Sequence, residues 1–270
     1  MVTDKVRRAL AGINTAVPNI ARMHDYFLGG KDNFAADREA AEKVLAIAPE
    51  LRTIAREGQD FRRRLMRYLT GEGITQFITF GAGLPTQSNI HELAQESAPG
   101  ARCVYVEDDT VVLTHARALL ATDDNTGVVR GHILRPDELI ADPGLRALID
   151  FDRPVGLLLL TVLQYIPDAD DPFKSVARLR DALPSGSHLA LTHVVFDDRP
   201  EAAKAIVDIY QQILGRSENI SRTFRDVERF FDGWELVEPG LVYMRRWRPD
   251  TPSYERPEKA WMAVGVGRKN

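Results

Sequence analysis

Two glycines and an acid stand at positions where a nucleoside could bind. Gly81, Ala82 and Gly83 directly follow a predicted strand, residues 77–80, and precede a predicted helix. Glycines at such a turn let the backbone approach a ligand closely, and the N-terminus of the helix favours negative charge. Glu107 directly follows the next predicted strand and lies 24 residues after Gly83, in the region where an acid about 20 residues further on accepts hydrogen bonds from ribose hydroxyls. These residues predict a nucleoside-binding site.

The nature of the nucleoside depends on the position where a third glycine would stand. A dinucleotide fingerprint has a glycine three residues after the second one, and this chain has Thr86 there, preceded by Pro85. The turn therefore disfavours the pyrophosphate of NAD, and an NAD-dependent oxidoreductase is the less favoured alternative. S-adenosylmethionine has no pyrophosphate, so we expect it as the cofactor, with S-adenosylhomocysteine as the product.

The acids beside Glu107 have two interpretations. Asp108 and Asp109 would line the nucleoside site, or they would form the turn before the next helix, with Asp109 or Thr110 as its N-cap. We predict Glu107 and Asp108 as cofactor contacts and favour the capping role for Asp109.

The elements that must position these residues alternate between strands and helices. The predicted strands are residues 77–80, 103–106, 128–132, 155–161, 187–194, 234–237 and 261–266. Helical patterns separate the first five strands, which predicts βαβ units and a mainly parallel sheet. The fourth strand is apolar without alternation, as expected when both faces are covered. The last two strands, joined by a long connection containing prolines, predict an antiparallel edge.

An N-terminal helical extension, residues 1–72, is predicted to precede a sheet domain over residues 73–270. The first helix of the extension ends at Gly29 and Gly30, because glycine is a strong signal for a helix C-terminus. Two more helices are predicted before the first strand of the sheet.

The loop after the first helix is a second candidate site. Tyr26, Gly30, Lys31 and Asn33 combine a helix end with polar side chains. We predict that they contact the cofactor, with Lys31 pairing with its carboxylate. We also predict that the extension closes over the site as a lid, because glycine hinges suit such movement. In the alternative interpretation the glycines only end a helix and Lys31 faces water.

Composition limits the remaining possibilities. The 270 residues are 44% hydrophobic and 27% charged, with a net charge of −4, which is typical of a globular protein without a nucleic-acid partner. Two arginine-rich clusters, residues 62–67 and 245–248, are expected to face water. The single cysteine excludes a disulfide scaffold, and the longest apolar run, residues 155–163, is too short for a membrane span. We expect a cytoplasmic protein with no membrane partner.

The sequence says less about the catalytic groups than about the cofactor site. Positioning supplies much of the acceleration of methyl transfer, and a general base helps when the acceptor must lose a proton. His193, at the end of the fifth strand, and His24, in the first helix, are the candidate bases. Gln164 and Tyr165 follow the fourth strand, at the edge where open α/β sheets bind ligands. We expect Gln164 to contact the cofactor, and Tyr165 and His193 to contact the acceptor. No metal-ligand spacing is present, so no metal is predicted.

Several stretches of the sequence carry a more specific signal. They are residues 21–33, 81–87, 105–109, 115–120, 163–168 and 230–240. Together they resemble a bacterial family of predicted S-adenosylmethionine-dependent methyltransferases, and the resemblance runs over nearly the whole chain. It implies a Rossmann-like class I methyltransferase fold, in which a seven-stranded, mostly parallel sheet has an antiparallel last strand, together with the N-terminal helical lid.

The resemblance also implies site residues and departures from the usual pattern. Similar enzymes commonly have an acid at the positions of Thr79 and His132 and a histidine at that of Gln164. His132, with Ile133, is expected at the adenine, because a neutral imidazole can accept a hydrogen bond through one nitrogen. We therefore predict a methyltransferase that acts on an oxygen or nitrogen of a small molecule. The alternative, which Thr79 and His132 motivate, is an inactive protein that binds S-adenosylmethionine or S-adenosylhomocysteine with the same fold.

Overall fold

One mixed sheet with helices on both faces organises the protein. The computed structural model describes residues 14–81, 83, 89–121, 123–195, 197, 200–214, 222–251 and 261–270. The strands are β1 (Gln76–Phe80), β2 (Arg102–Glu107), β3 (Thr126–Arg130), β4 (Gly156–Leu160), β5 (His188–Val194), β6 (Glu235–Leu236), β7 (Val242–Tyr243) and β8 (Met262–Arg268). The helices are α1 (Ile20–Phe27), α2 (Ala35–Ile47), α3 (Leu51–Gly71), α4 (Ile90–Ser97), α5 (Thr110–Leu119), α6 (Pro136–Ile140), α7 (Pro143–Leu148), α8 (Pro172–Asp181), α9 (Pro200–Leu214) and α10 (Phe224–Glu228).

The strand order creates a crevice beside β1. The order is β3-β2-β1-β4-β5-β8-β6, and β7 also pairs with β8. Strands β1 to β5 pair in parallel. From β1 the chain proceeds outward to β2 and β3, and it then returns to place β4 on the other side of β1. Such a reversal leaves a ligand crevice at the carboxyl ends of the strands.

The antiparallel edge of the sheet is confirmed, although it contains one more strand than predicted. β8 runs antiparallel to β5, β6 and β7. β6 pairs with Gly267 and Arg268, whereas β7 pairs with Ala263 and Val264, so the two short strands occupy one edge position in two pieces. Pro239 lies between them, and proline has no N–H for a sheet hydrogen bond.

The sheet separates two apolar cores. Leu157 and Leu159 of β4 pack into one core and Leu158 packs into the other, as alternation along a strand requires. All three side chains are buried, which explains the uninterrupted apolar run of the fourth predicted strand. No described helix has the length and apolar character that a membrane span needs.

Two short elements were not predicted, and the shifted end of one strand changes the place of a predicted site residue. Besides β7, the sequence reading missed α7, although Asp142 caps it by accepting a hydrogen bond from Leu145 N at 2.8 Å and Pro143 opens it. β3 ends at Arg130, so His132 lies beyond the strand and not within it, as predicted.

The N-terminal helices are fastened to each other by one buried carboxylate. Asp37 of α2 is fully buried and accepts hydrogen bonds from Asn19 N at 2.8 Å, Phe34 N at 2.8 Å and Arg22 Nε at 2.7 Å. It therefore ties the start of α1 to the start of α2. Met23 of α1 belongs to the same apolar core as Phe77 of β1, and the division into two domains at residue 72 stays a prediction.

Replacing Asp37 by Asn should destabilise the fold strongly. The substitution leaves the guanidinium of Arg22 buried without its counter-charge, and breaking a buried ion pair in this way costs about 3–5 kcal/mol. Urea denaturation measures the change in the free energy of unfolding. Asp137→Asn is the matched control, because Asp137 accepts from Arg178 Nε at the same 2.7 Å but at the surface, where a pair contributes about 0–1 kcal/mol. Equal effects of the two substitutions would contradict the role of Asp37.

Candidate functional site

A cavity of about 720 Å³ opens at the carboxyl ends of the parallel strands. Its floor includes Gly81 after β1, Glu107 at the end of β2 and Thr161 after β4, and its roof includes residues of α1 and α3. The volume lies in the range of about 300–1,000 Å³ that is typical of small-molecule sites. The cavity occupies the crevice that the strand order predicts beside β1.

The turn after β1 has the conformation for which its glycines are needed. Gly81 has a φ of +77° and Gly83 a φ of +59°, a region that side chains other than glycine rarely adopt. Gly81 N donates to Val106 O at 3.0 Å, which fastens the turn to β2. Both glycines line the cavity. Ala82 and Thr86 lie outside the described residues.

Glu107 is held in a fixed orientation on the cavity wall. The residue is 9% exposed, and its Oε1 accepts from Asp108 N at 3.2 Å and Asp109 N at 3.1 Å. Asp109 Oδ1 accepts from Val112 N at 3.0 Å, which is the capping role favoured for it. Asp108 also lines the cavity and keeps about half of its side chain exposed, at 53%. Two acids therefore line the cavity.

His132 cannot accept a hydrogen bond from an adenine in the way that was predicted. Its Nδ1 accepts from Leu134 N at 3.1 Å, so the proton of the neutral ring is on Nε2, which lies 3.5 Å from Asp108 Oδ2. The only accepting nitrogen is thus occupied. Asp108 is the acceptor that this corner of the cavity offers, and Ile133 supplies a buried apolar surface beside it.

Gln164 and Tyr165 lie on the cavity wall after β4. Gln164 Oε1 accepts from Val194 N at 3.3 Å, which ties the turn after β4 to the end of β5. The ring of Tyr165 meets that of Tyr210 of α9 edge to face, with 6.3 Å between the ring centroids. Burial raises the pKa of Tyr165, so its hydroxyl remains protonated at neutral pH.

The structure does not bring His193 to the cavity. Side chains alternate along β5, and Thr192 and Val194 are the ones that line the cavity. His193 is fully buried, its Nδ1 donates to Val194 O at 2.6 Å, and its Nε2 accepts from Arg222 Nη1 at 2.8 Å. Burial and the charge of Arg222 lower its pKa to about 3. Both ring nitrogens are therefore occupied by hydrogen bonds within the protein. Neither is available to act as a base or to contact the methyl acceptor.

The N-terminal segment contributes the predicted candidate base His24, but not the cofactor contacts that were predicted around the loop after it. His24 and Asp25 line the cavity, whereas the predicted contacts Tyr26, Gly30, Lys31 and Asn33 do not. Tyr26 packs under the guanidinium of Arg52, 4.9 Å from the ring centroid, and its hydroxyl donates to Glu42. Lys31 is exposed. The helix end itself is thus the part of this segment that reaches the site.

Asp25 explains why the loop needs Gly30. Asp25 Oδ2 accepts from Asp32 N and from Asn33 Nδ2, each at 2.8 Å. A Cβ atom at position 30 would lie 2.0 Å from Asp25 Oδ1, so any other residue there would displace this carboxylate. Gly30 and Asn33 therefore support Asp25 from outside the cavity wall.

His24 is a neutral imidazole inside the cavity. The residue is exposed to solvent and lines the cavity. Burial by the surrounding protein and the charge of Arg62 lower its pKa to about 4, against a smaller opposing effect of Asp25. At neutral pH the ring therefore has a nitrogen that can accept a proton.

Helix α3 supplies a site residue that the sequence reading missed. Arg62 was expected to face water with the rest of its cluster, and the structure places it on the cavity wall. Ala55, Gly58 and Arg62 are spaced by three and four residues and line the cavity together, as residues on one helix face do. That spacing is the signal that could have identified Arg62.

The comparisons with known proteins point to one family. A family model described as S-adenosyl methyltransferase matches residues 7–270. A search of curated proteins finds no match. The solved structure of a candidate methyltransferase from Thermobifida fusca is 41% identical, with a TM-score of 0.87, over 96% of this chain and 97% of that one. A DUF574 family protein from Streptomyces avermitilis is 36% identical, with a TM-score of 0.88, over 95% and 99%.

A more distant structure shares only the fold. The N-methyltransferase NodS from Bradyrhizobium japonicum, solved with S-adenosylhomocysteine, is 11% identical, with a TM-score of 0.50, over 80% of this chain and 87% of that one. The match of the family model over almost the whole chain, with two close structural relatives, decides the assignment. This chain belongs to the S-adenosyl methyltransferase family, whose cofactor is S-adenosylmethionine.

Proposed function

We propose that this protein transfers a methyl group from S-adenosylmethionine to an oxygen or nitrogen atom of a small molecule. The observation that carries the proposal is that the glycine turn, Glu107 and a mainly apolar wall share one cavity. A site of that kind suits a nucleoside cofactor together with an organic acceptor. When bound, the cofactor supplies an electrophilic methyl group on a sulfonium sulfur.

The residues present fit this cofactor. Glu107 has its orientation fixed by two backbone amides, so it can accept hydrogen bonds from the ribose diol without reorganising. The positive φ angles at positions 81 and 83 favour glycine. Because glycine has no side chain, the turn leaves room where the methionine arm would pass. Asp108 would accept from the adenine amino group, and Ile133 would pack against the adenine ring.

The part of the cavity near β5 and β8 has the character of an acceptor pocket. Its lining there is mainly apolar and aromatic and includes Phe61, Tyr165, Tyr210, Met244 and Trp261. Aromatic side chains bind flat organic molecules through large contact areas and ring packing. Gln164 stands between this pocket and the turn after β1, where it would contact the cofactor.

His24 is the group that we assign as proton acceptor. Its lowered pKa keeps the imidazole unprotonated at neutral pH, and its ring lies on the wall of the same cavity. An imidazole with so low a pKa is a weak base, because a base works best when its pKa is near the operating pH. An acceptor with an acidic proton, such as a phenol, suits His24 better than an aliphatic alcohol does.

A turnover assay tests the proposed reaction directly. The purified protein is incubated with S-adenosylmethionine and a panel of phenols and amines, and the formation of S-adenosylhomocysteine is measured by chromatography. Product that forms only with particular acceptors supports the proposal. Tight binding of the cofactor with no turnover on any acceptor would favour an inactive binding protein of the same fold.

Glu107→Gln should weaken binding of S-adenosylhomocysteine at least tenfold, about 1.4 kcal/mol, as measured by calorimetry. The amide keeps an oxygen for the backbone N–H groups of Asp108 and Asp109 but removes the charge that strengthens the hydrogen bonds to the ribose. Glu96→Gln, at an exposed position of α4, is the control and should bind like the unmodified protein. Unchanged affinity of Glu107→Gln would contradict the assigned ribose contact.

The imidazole of His24 should titrate with a midpoint of about 4 and not at its ordinary 6.5, as followed by NMR. Arg62→Gln should raise the midpoint, because it removes one of the two causes that disfavour the charged form, and burial should still keep it below the ordinary value. His24→Gln identifies the resonance by its loss. A midpoint near 6.5 in the unmodified protein would remove the physical basis for His24 as a base that is unprotonated over the whole neutral range.

A further inference from the structure

The four arginines near the middle of α3 have different surroundings. Arg63 pairs with Asp60 at 3.2 Å on the exposed face of the helix. Arg64 donates to the carbonyl oxygens of Trp247 and Met244, each at 3.1 Å. Arg67 pairs with Asp250. The fourth, Arg62, is half-buried and makes no hydrogen bond or ion pair within the described residues.

An unpaired guanidinium in this position is costly. Burying part of a charge loses hydration that only a counter-ion or hydrogen bonds can replace, and burial lowers the pKa of Arg62 accordingly. Arginine nevertheless remains charged at neutral pH. The cation therefore stands on the wall of a small-molecule cavity with a strong preference for an anion.

Tyr105 of β2, which lines the same cavity, cannot be that anion. Its hydroxyl is bonded to His91, at 2.9 Å from Nδ1 and 3.2 Å from the backbone N. Burial raises the pKa of Tyr105 well above its ordinary value, so the phenol stays neutral. Tyr105 belongs to the same apolar core as Phe61, the residue that precedes Arg62 on α3.

The helix that carries Arg62 lies near the glycine turn, because α3 packs against α4, the next described helix after that turn, and Arg62 lines the same cavity as Gly81 and Gly83. Tyr105 is the register partner of Thr79 on β1, two residues before Gly81. It also lies two residues before Glu107 on the same face of β2, a separation of about 7 Å. The cation is thus within the reach of one small ligand from the acid assigned to the ribose, on the side of the cavity that borders the turn.

We propose that Arg62 binds the α-carboxylate of the methionine arm of the cofactor. This inference rests on the proposed function, which puts the ribose at Glu107 and the arm along the turn. The carboxylate is the only anionic group of S-adenosylmethionine, and a guanidinium can bind it with two parallel hydrogen bonds. Lys31, the cation predicted for this role from the sequence, is exposed and lies outside the cavity wall.

The consequence is selectivity for the intact amino-acid arm. A ligand that lacks the carboxylate would leave Arg62 partly buried and unpaired, and it would gain nothing from this residue. The charge also fixes the far end of the arm, so the sulfur between the arm and the ribose has both of its substituents held. Arg62 is in this sense a positioning residue for the methyl group.

Calorimetry with two ligands tests the proposal. One ligand is S-adenosylhomocysteine, and the other is its analogue in which a hydrogen replaces the α-carboxylate. Arg62→Gln should weaken binding of S-adenosylhomocysteine at least tenfold, about 1.4 kcal/mol, and leave binding of the analogue unchanged. Arg62→Lys should bind S-adenosylhomocysteine with intermediate affinity, because it keeps the charge and loses the planar fork.

Two controls and a stability measurement complete the test. Arg63→Gln, the neighbouring arginine on the exposed face, and Lys31→Met should bind both ligands like the unmodified protein. Thermal unfolding of Arg62→Gln should show no loss of stability, because the residue forms no ion pair to break. Equal weakening of both ligands by Arg62→Gln, no weakening of either, or selective weakening by Lys31→Met would each overturn the proposal.

The failure of the proposed function would look different. An unmodified protein that binds neither ligand would overturn the nucleoside site and this inference with it. If Glu107→Gln weakens binding of S-adenosylhomocysteine and Arg62→Gln does not, the proposed function stands and only the role of Arg62 is overturned.

Discussion

The pairing of β1 with β2 on one side and β4 on the other is the constraint on which the site depends. The chain continues from β1 to β2 and β3 on one side and then returns to β4 on the other side, and such a reversal of strand order leaves a crevice at the carboxyl end of β1. The glycine turn, the end of β2 and the turn after β4 all open into that gap. The hydrogen bond from Gly81 N to Val106 O then fixes the turn against β2.

The roof of the cavity depends on a different kind of interaction. Asp37 is a buried acceptor for two backbone amides and one guanidinium, so α1 and α2 have one relative arrangement. That arrangement aims His24 and Asp25 into the cavity and turns Lys31 away from it. A charged group buried in this way is costly unless each of its oxygens has a partner, and here both oxygens do.

Charge is distributed unevenly around the cavity. Glu107, Asp108 and Arg62 lie toward β1 and β2, whereas aromatic and aliphatic side chains surround the region near β5 and β8. The first half suits a polar, multiply charged cofactor and the second half suits an organic acceptor. Burial, followed by the positive charge of Arg62 in the first half, lowers the pKa of His24. The same arginine that we assign to the cofactor therefore also contributes, after burial, to the lowered pKa of this imidazole.

The sequence by itself determined the elements, the parallel sheet with its antiparallel edge, the glycine turn and the position of Glu107, because these follow from local periodicity and from residues close together in the chain. The tertiary structure alone decided which polar side chains meet. His193 lies on the face of β5 that points away from the cavity, and the ring of His132 is committed to Leu134 N. Arg62 reaches the cavity because α3 packs against α1 and α4. Such outcomes depend on contacts between segments far apart in the chain, which no local pattern contains.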